Sequence, residues 1–290
     1  MGMFGRGWEL TKMSFRVIRK DKELLLLPLI SGIATIILWG TFVGSVWFFQ
    51  LFDSTGVTLY ATVALGFLFY LLTNFIILFF NAAVVGAAMI RLNGGDPTVS
   101  DGIRVASSRI KEIFLWAIFA ATVSLILKAI AERGGVIGRI VAGIAGMAWS
   151  IATYFVLPVL IYEGLTPWKA VKRSVAVLRG AWGEALIGNM GTGLIFFLLA
   201  LVGLVPIALG YYAVIVVGFG GWMLLLACIF VAIAYWIFIA VLSSAVEGVL
   251  LAALYRYAVT GKLAEDFAGS VPPPVHVVQG AYGMPPAPGA

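Results

Sequence analysis

Glu247 has the type and setting most suited to chemistry, because it lies in an apolar run about nine residues, or roughly 13 Å of helix, before Arg256. A carboxyl group there is expensive to hold in lipid. It predicts an ion, proton or substrate contact facing a bundle interior, or else a group hydrogen-bonded to Ser243, Ser244 or a neighbouring helix that fixes packing. Asn74 and Asn81 share a helical face, and Asn189 stands early in a later apolar run. Converging with Glu247, they would line a polar cavity at mid-depth, where transporters hold substrate; separately, each would bond between helices for about 0.6–2 kcal/mol. No nucleophile–base pair is readable. The sole histidine, His276, lies in a Pro/Gly-rich tail, the sole cysteine, Cys228, lies in an apolar run, and no strand precedes a Gly-rich loop. The chain is therefore expected to be no enzyme, with no catalytic residue, metal or cofactor.

A second group of residues could bind rather than react. Between Glu163 and Gly188, Thr166 is placed to cap a helix, with Pro167 at its first position. Trp168, Val171, Val175, Leu178 and Trp182 then recur at spacings of three and four. Lys169, Lys172, Arg173 and Arg179 take the opposite side. This is the pattern of a helix in the headgroup plane, apolar face down and cations among lipid phosphates. Glu163, ending the preceding apolar run, is read as structural, within reach of Lys169 or Arg173.

The elements that must position these residues follow from composition. Apolar residues make up 62% and charged residues 11% of the 290-residue chain, against roughly 45–50% and 25% in soluble domains, and mean hydropathy is +1.07. This predicts an all-α, polytopic membrane bundle, residues 1–267 forming one transmembrane domain and 268–290 a disordered tail. Spans are expected at about 24–50, 57–90, 114–131, 136–162, 185–217 and 222–257, the fourth with Pro158 near its end and the fifth kinked at Pro206. Interfacial helices are expected at about 4–22, 100–112 and 166–182. The middle one is capped by Ser100, with Ile103, Ala106, Ile110 and Ile113 on its apolar side. Gly138, Ala142 and Gly146 form a small-residue stripe for close helix contact, within or between chains.

The layout reads as three copies of one module, a surface helix followed by a helical hairpin. Ser14–Arg19 can be laid on Ser174–Arg179, and Ala88-x-x-Arg91 on Ala253-x-x-Arg256. Each hairpin returns the chain to its starting side, so the surface helices share one face. Lys128, Arg133 and Arg139 are the only cations of 19 assigned to the other side, which places the surface helices and both termini in the cytoplasm of a cell-membrane protein. The net charge of +6 is then directed at anionic headgroups rather than nucleic acid. A homo-oligomer or a protein partner stays open.

Gly7-Trp8-Glu9-Leu10, Asp21-Lys22-Glu23-Leu24, Glu163-Gly164, Ala170-Val171-Lys172-Arg173-Ser174, Trp182-Gly183-Glu184 and Ala253–Tyr257 with Thr260-Gly261 resemble a family of uncharacterised archaeal and bacterial six-span membrane proteins. The Glu-Gly, Ala-x-x-x-Ser and Trp hinge is also distantly similar to the membrane domain of some glycerophosphodiester phosphodiesterases. The resemblance implies a fold and a location and transfers no catalytic residue, and no phosphodiesterase catalytic domain is present. Two functions are carried forward: a lipid-associated structural or scaffold protein acting through the basic collar, and a transporter or channel with its site around Glu247.

Overall fold

The structure, a computed structural model, describes the backbone of residues 3–48, 56–180 and 182–261, and within these not the side chains of 3–7, 48, 56–59, 62, 180, 182–190, 217 and 219. The turn at Asp53–Thr55 and the tail with His276 lie outside the described residues. The elements are α1 (Met3–Lys20), a 3-10 turn (Lys22–Leu25), α2 (Leu26–Phe48), α3 (Gly56–Leu92), α4 (Val99–Ser108), α5 (Ile110–Arg133) and α6 (Gly135–Ala152). They continue with α7 (Val156–Glu163), α8 (Pro167–Gly180), α9 (Trp182–Val202), α10 (Leu204–Val217), a 3-10 turn (Gly218–Gly220) and α11 (Gly221–Thr260). Six helical stretches are long and apolar enough to cross a membrane, starting at Lys22, Val63, Ile110, Gly135, Gly191 and Gly221. α2 packs on α3, α5 on α6 and α10 on α11, while α3 and α11 pack on each other.

The shared core lies at the collar end. It is built from Ala82–Met89 of α3, Ala245–Ala258 of α11, α7, and the inner faces of α1, α4 and α8. Lipid tails are as apolar as leucine, so burial alone cannot hold spans together and close backbone approach must do it. Gly248 supplies one approach: a Cβ there would stand 2.5 Å from Val84 Cγ1. Gly102 supplies another, against the Ala83 carbonyl of α3 at 2.8 Å. Away from the collar the helices turn bulky faces outward, with Ile36, Ile137, Ile144 and Phe230 all exposed. The predicted small-residue stripe packs within the chain, a Cβ on Gly138 meeting the Ile130 carbonyl of α5 at 2.5 Å.

Four expectations are corrected. The fourth span is two helices, broken at Thr153–Phe155. Pro158 has no N–H for the Tyr154 carbonyl four residues back, and Ser174 Oγ instead accepts the Phe155 N–H at 3.0 Å. The fifth span breaks at Gly203, ahead of Pro206, whose ring sits harmlessly in the first turn of α10. There the Gly203 N–H bonds Ala200 rather than Leu199, and Tyr235 Oη donates to the vacated Leu199 carbonyl at 2.7 Å. α4 is capped by Thr98, not Ser100, in a reciprocal capping box with Asp101. Its inner face is Gly102, Val105 and Ala106, and Ile110 is exposed, because the helix stops at Arg109 (φ −123°, ψ 25°) and α5 restarts the periodicity. The hinge helix ends at Gly180, so Trp182 opens α9.

Candidate functional site

The collar is built from α1, α4 and α8, and the first and third of these repeat each other residue by residue. Ser14 and Ser174 are fully buried, as are Val17 and Val177, with Ile18 and Leu178 each 4% exposed. Buried serine on these faces is tolerated because each hydroxyl is bonded: Ser14 Oγ donates to the Leu10 carbonyl at 3.2 Å, and Ser174 Oγ takes the Phe155 N–H. The outer faces repeat too. Lys12 Nζ stands 5.3 Å from the Trp8 ring centroid and Lys172 Nζ 5.4 Å from that of Trp168, each an i, i+4 pair with an exposed indole. Lys169 and Arg179 are exposed beside the second pair. Sequence reasoning put Trp8 and Lys12 on an interfacial helix but did not pair them, although extending the Ser14/Ser174 overlay six residues towards the N-terminus lays Trp8 on Trp168. The side chain of Trp182 is outside the described residues.

Arg173 does not belong to that outer face. Its Nε donates to both oxygens of Glu163, at 2.8 and 2.9 Å, and Tyr255 Oη donates to Glu163 Oε1 at 2.9 Å. The Glu163 side chain is 5% exposed and that of Arg173 15%. Ser174 adjoins Arg173 on the buried side of α8, which draws the guanidinium towards the core rather than the headgroups. Gly164, left-handed at φ 61°, caps α7, and Arg109 lies across it, with Nε donating to the Ile161 carbonyl at 3.2 Å. Other collar charges are also turned inward. Arg91 pairs with Asp21 at 3.0 Å, the Arg256 guanidinium donates to the Leu92 carbonyl, and Glu23 accepts the Val99 N–H at 2.8 Å. Burial pushes the Asp21 carboxyl up, and Arg91 pulls it part of the way back. Several cations that mark the collar side are thus staples between helices, within a module for Arg91 and Arg109 and between modules for Arg173 and Arg256.

Glu247 and Asn81 do come together. They line a cavity of about 160 Å³ with Ser244 and Tyr154, between apolar walls that include Val85 and Leu157. Ser243 Oγ donates to Glu247 Oε1 at 2.8 Å and Ser244 Oγ donates to Asn81 Oδ1 at 3.4 Å. Glu247 is exposed at the mouth, with Gly248 buried behind it. Asn74 is not part of the cavity. Its amide donates to the Tyr70 carbonyl of its own helix at 2.8 Å, about 10 Å of helix from Asn81. The side chain of Asn189 lies outside the described residues.

The cavity's place along the bundle follows from its neighbours. The cavity wall on α3 is the stretch on which α4 packs through Gly102 and Val105, and Tyr154 adjoins the peptide held by Ser174 of α8. The cavity is therefore level with the collar. Tyr154 was missed in the sequence, though its place four residues before Pro158 marks the helix break that turns it inward.

Six helices long and apolar enough to cross a membrane, with no strand among the described residues, define a multi-pass helical membrane protein. Residues 60–265 match the family described as Family of unknown function (DUF6159), and the chain belongs to that family. Comparison with curated proteins yields no match.

Proposed function

We propose that the protein is a non-enzymatic, lipid-associated structural protein of the cell membrane, seated by its collar among anionic headgroups of the cytoplasmic leaflet. The observation that carries this is the repeated Trp–Lys pair: Trp8 with Lys12 and Trp168 with Lys172, on equivalent outer faces of α1 and α8. An indole at headgroup level with a lysine over its ring offers both an interfacial anchor and a cation for phosphate, Lys12 sharing its charge with Glu9 at 3.1 Å. Arg16, Arg19, Lys169 and Arg179, also exposed, extend the cationic surface.

Ala170 and Ser174 are fully buried and Glu163 is clamped by Arg173, which supports a packing role for these residues. The test is lipid retention on protein purified in mild detergent, read by native mass spectrometry. Each cation near an anionic surface contributes about 1 kcal/mol, so replacing Lys12, Lys169, Lys172 and Arg179 by Gln is expected to lower phosphatidylglycerol retention at least about tenfold. Unchanged retention would remove the basis of the proposal.

A transporter or channel with its polar site around Glu247 is the second function considered. It is favoured by the cavity and by the interruptions at Thr153–Phe155 and Gly203, since transporters build substrate sites at broken helices. Labelling of Glu247→Cys in a Cys228→Ala background by an impermeant maleimide, added to either side of sealed vesicles, tests it. Access from both sides supports transport, and access from the collar side alone sets it aside.

A further inference from the structure

We propose that the cavity at Glu247 is a binding site for a primary ammonium group carried on a short carbon chain. Four observations lead there. First, its polar lining is one carboxylate, one amide and two hydroxyls, from Glu247, Asn81, Ser244 and Tyr154, with no Lys or Arg among the lining residues. The carboxylate accepts a hydrogen bond from the neutral Ser243 hydroxyl, which engages Oε1 and leaves Oε2 for a ligand. A carboxylate at a cavity beside lipid calls for a cation or a proton.

Second, the site is wrong for a divalent metal. A hard dication takes six or more oxygens, usually several of them carboxylate, and no group of three or more His, Cys, Asp or Glu side chains gathers among the described residues. Third, an ammonium needs three acceptors, and the Glu247 carboxylate with the Asn81 carbonyl and the Tyr154 hydroxyl is a set of that size. The walls Val85 and Leu157 suit methylene groups attached to the nitrogen. A volume of about 160 Å³ is that of roughly five waters, enough for an aminoethyl group with one water or two.

Fourth, the position of the cavity allows a lipid headgroup to reach it. The cavity is level with α4 and α8, where lipid headgroups lie, and Glu247 stands at its mouth. The ammonium can be the ethanolamine headgroup of a phospholipid or a free alkylamine, and the recognising chemistry is the same. The site stands whether or not the exposed collar cations hold anionic lipid, since none of them lines it.

The experiment compares wild-type, Glu247→Gln and Tyr154→Phe proteins by native mass spectrometry with added phosphatidylethanolamine, phosphatidylcholine or phosphatidylglycerol. It adds thermal unfolding in ethylammonium chloride against equal sodium chloride. Loss of a charge-assisted hydrogen bond is expected to cut phosphatidylethanolamine retention about tenfold in Glu247→Gln, and severalfold in Tyr154→Phe, while phosphatidylglycerol is unmoved. That result assigns the headgroup as source. Stabilisation by ethylammonium beyond sodium, present in wild type and absent in Glu247→Gln, assigns the free amine. The proposal is overturned if phosphatidylethanolamine retention is the same in all three proteins and ethylammonium acts no differently from sodium. It is also overturned if phosphatidylcholine, which has no N–H, is held as well as phosphatidylethanolamine and lost equally in Glu247→Gln. Tyr154→Phe keeps the test open should the glutamine variant fail to fold.

Discussion

Replacing Arg173 by alanine separates a staple from a headgroup contact. In the folded protein both Glu163 oxygens receive the Arg173 Nε–H, and the Tyr255 hydroxyl also donates to the carboxylate. With Glu163 5% exposed, removing the guanidinium leaves a carboxylate that water cannot reach freely. Removing one partner of a buried pair costs about 3–5 kcal/mol. Arg173 Nη2 is buried and finds no acceptor among the described residues, so the pair is imperfect and the lower end is expected. Tyr255→Phe, removing one hydrogen bond to a charged group, is expected to cost about 1.5–3 kcal/mol. The double variant Glu163→Leu/Arg173→Met, apolar at similar volume, is expected within about 1 kcal/mol of wild type. Unfolding in mixed micelles, followed by tryptophan fluorescence across the double-mutant cycle, measures all of these. Phosphatidylglycerol retention on Arg173→Gln is expected to match wild type. An Arg173→Ala variant within about 0.5 kcal/mol of wild type, or Arg173→Gln losing lipid as the lysine variants do, would refute the inward placement.

Other expectations follow from single contacts. Gly248→Ala drives a methyl to 2.5 Å from Val84 Cγ1 and is expected to destabilise by about 1–3 kcal/mol; Val84→Ala in the same chain should recover most of it, as measured by thermal unfolding. Gly203→Ala places its Cβ 2.3 Å from Trp236 Nε1, displacing the indole from the Ala200 carbonyl it reaches at 2.9 Å, and a shift in tryptophan emission reports this. The Asp101 carboxyl is held below its ordinary 3.8 by hydrogen bonds from the Thr98 hydroxyl and N–H. A lowered folded value means the contribution is present above pH 3.8 and is lost as pH falls through that lower value. Hydrogen exchange in α4 is therefore expected to be slow at pH 7 and to lose protection in strong acid. Thr98→Ala costs about 1 kcal/mol at neutral pH, and less once Asp101 is protonated.

How much was legible depends on what each signal encodes. Span count follows from runs of apolar residues, and six stretches of the expected order are present, because crossing a bilayer is a constraint on local composition. Helix interruptions were only half legible. Pro158 and Pro206 announce a missing donor, yet the breaks fall three or more residues earlier, at Thr153–Phe155 and Gly203, where Ser174, Tyr235 and Trp236 from distant helices satisfy the freed groups. The hinge helix misled in one particular. A helical wheel puts Arg173 with Lys169 and Lys172, but a wheel carries no information about which strip of a helix meets neighbours. Here the inner strip is Ala170, Val171, Ser174, Val177 and Leu178.

The sequence by itself determined the class: an all-helical, multi-pass chain with a charged end, set by hydropathy, by capping residues and by the side on which cations collect. Tertiary structure alone decided what the charged and polar groups do. It turned Arg91, Arg109, Arg173 and Arg256 into staples, left Lys172 over Trp168, separated Asn74 from Asn81, and joined Asn81 to Glu247 level with the collar. The physical reason is that hydropathy is a property of each residue, whereas a buried charge needs a partner. That partner comes from whichever helix packs opposite, often more than ninety residues away in the chain, as Tyr255 is from Glu163.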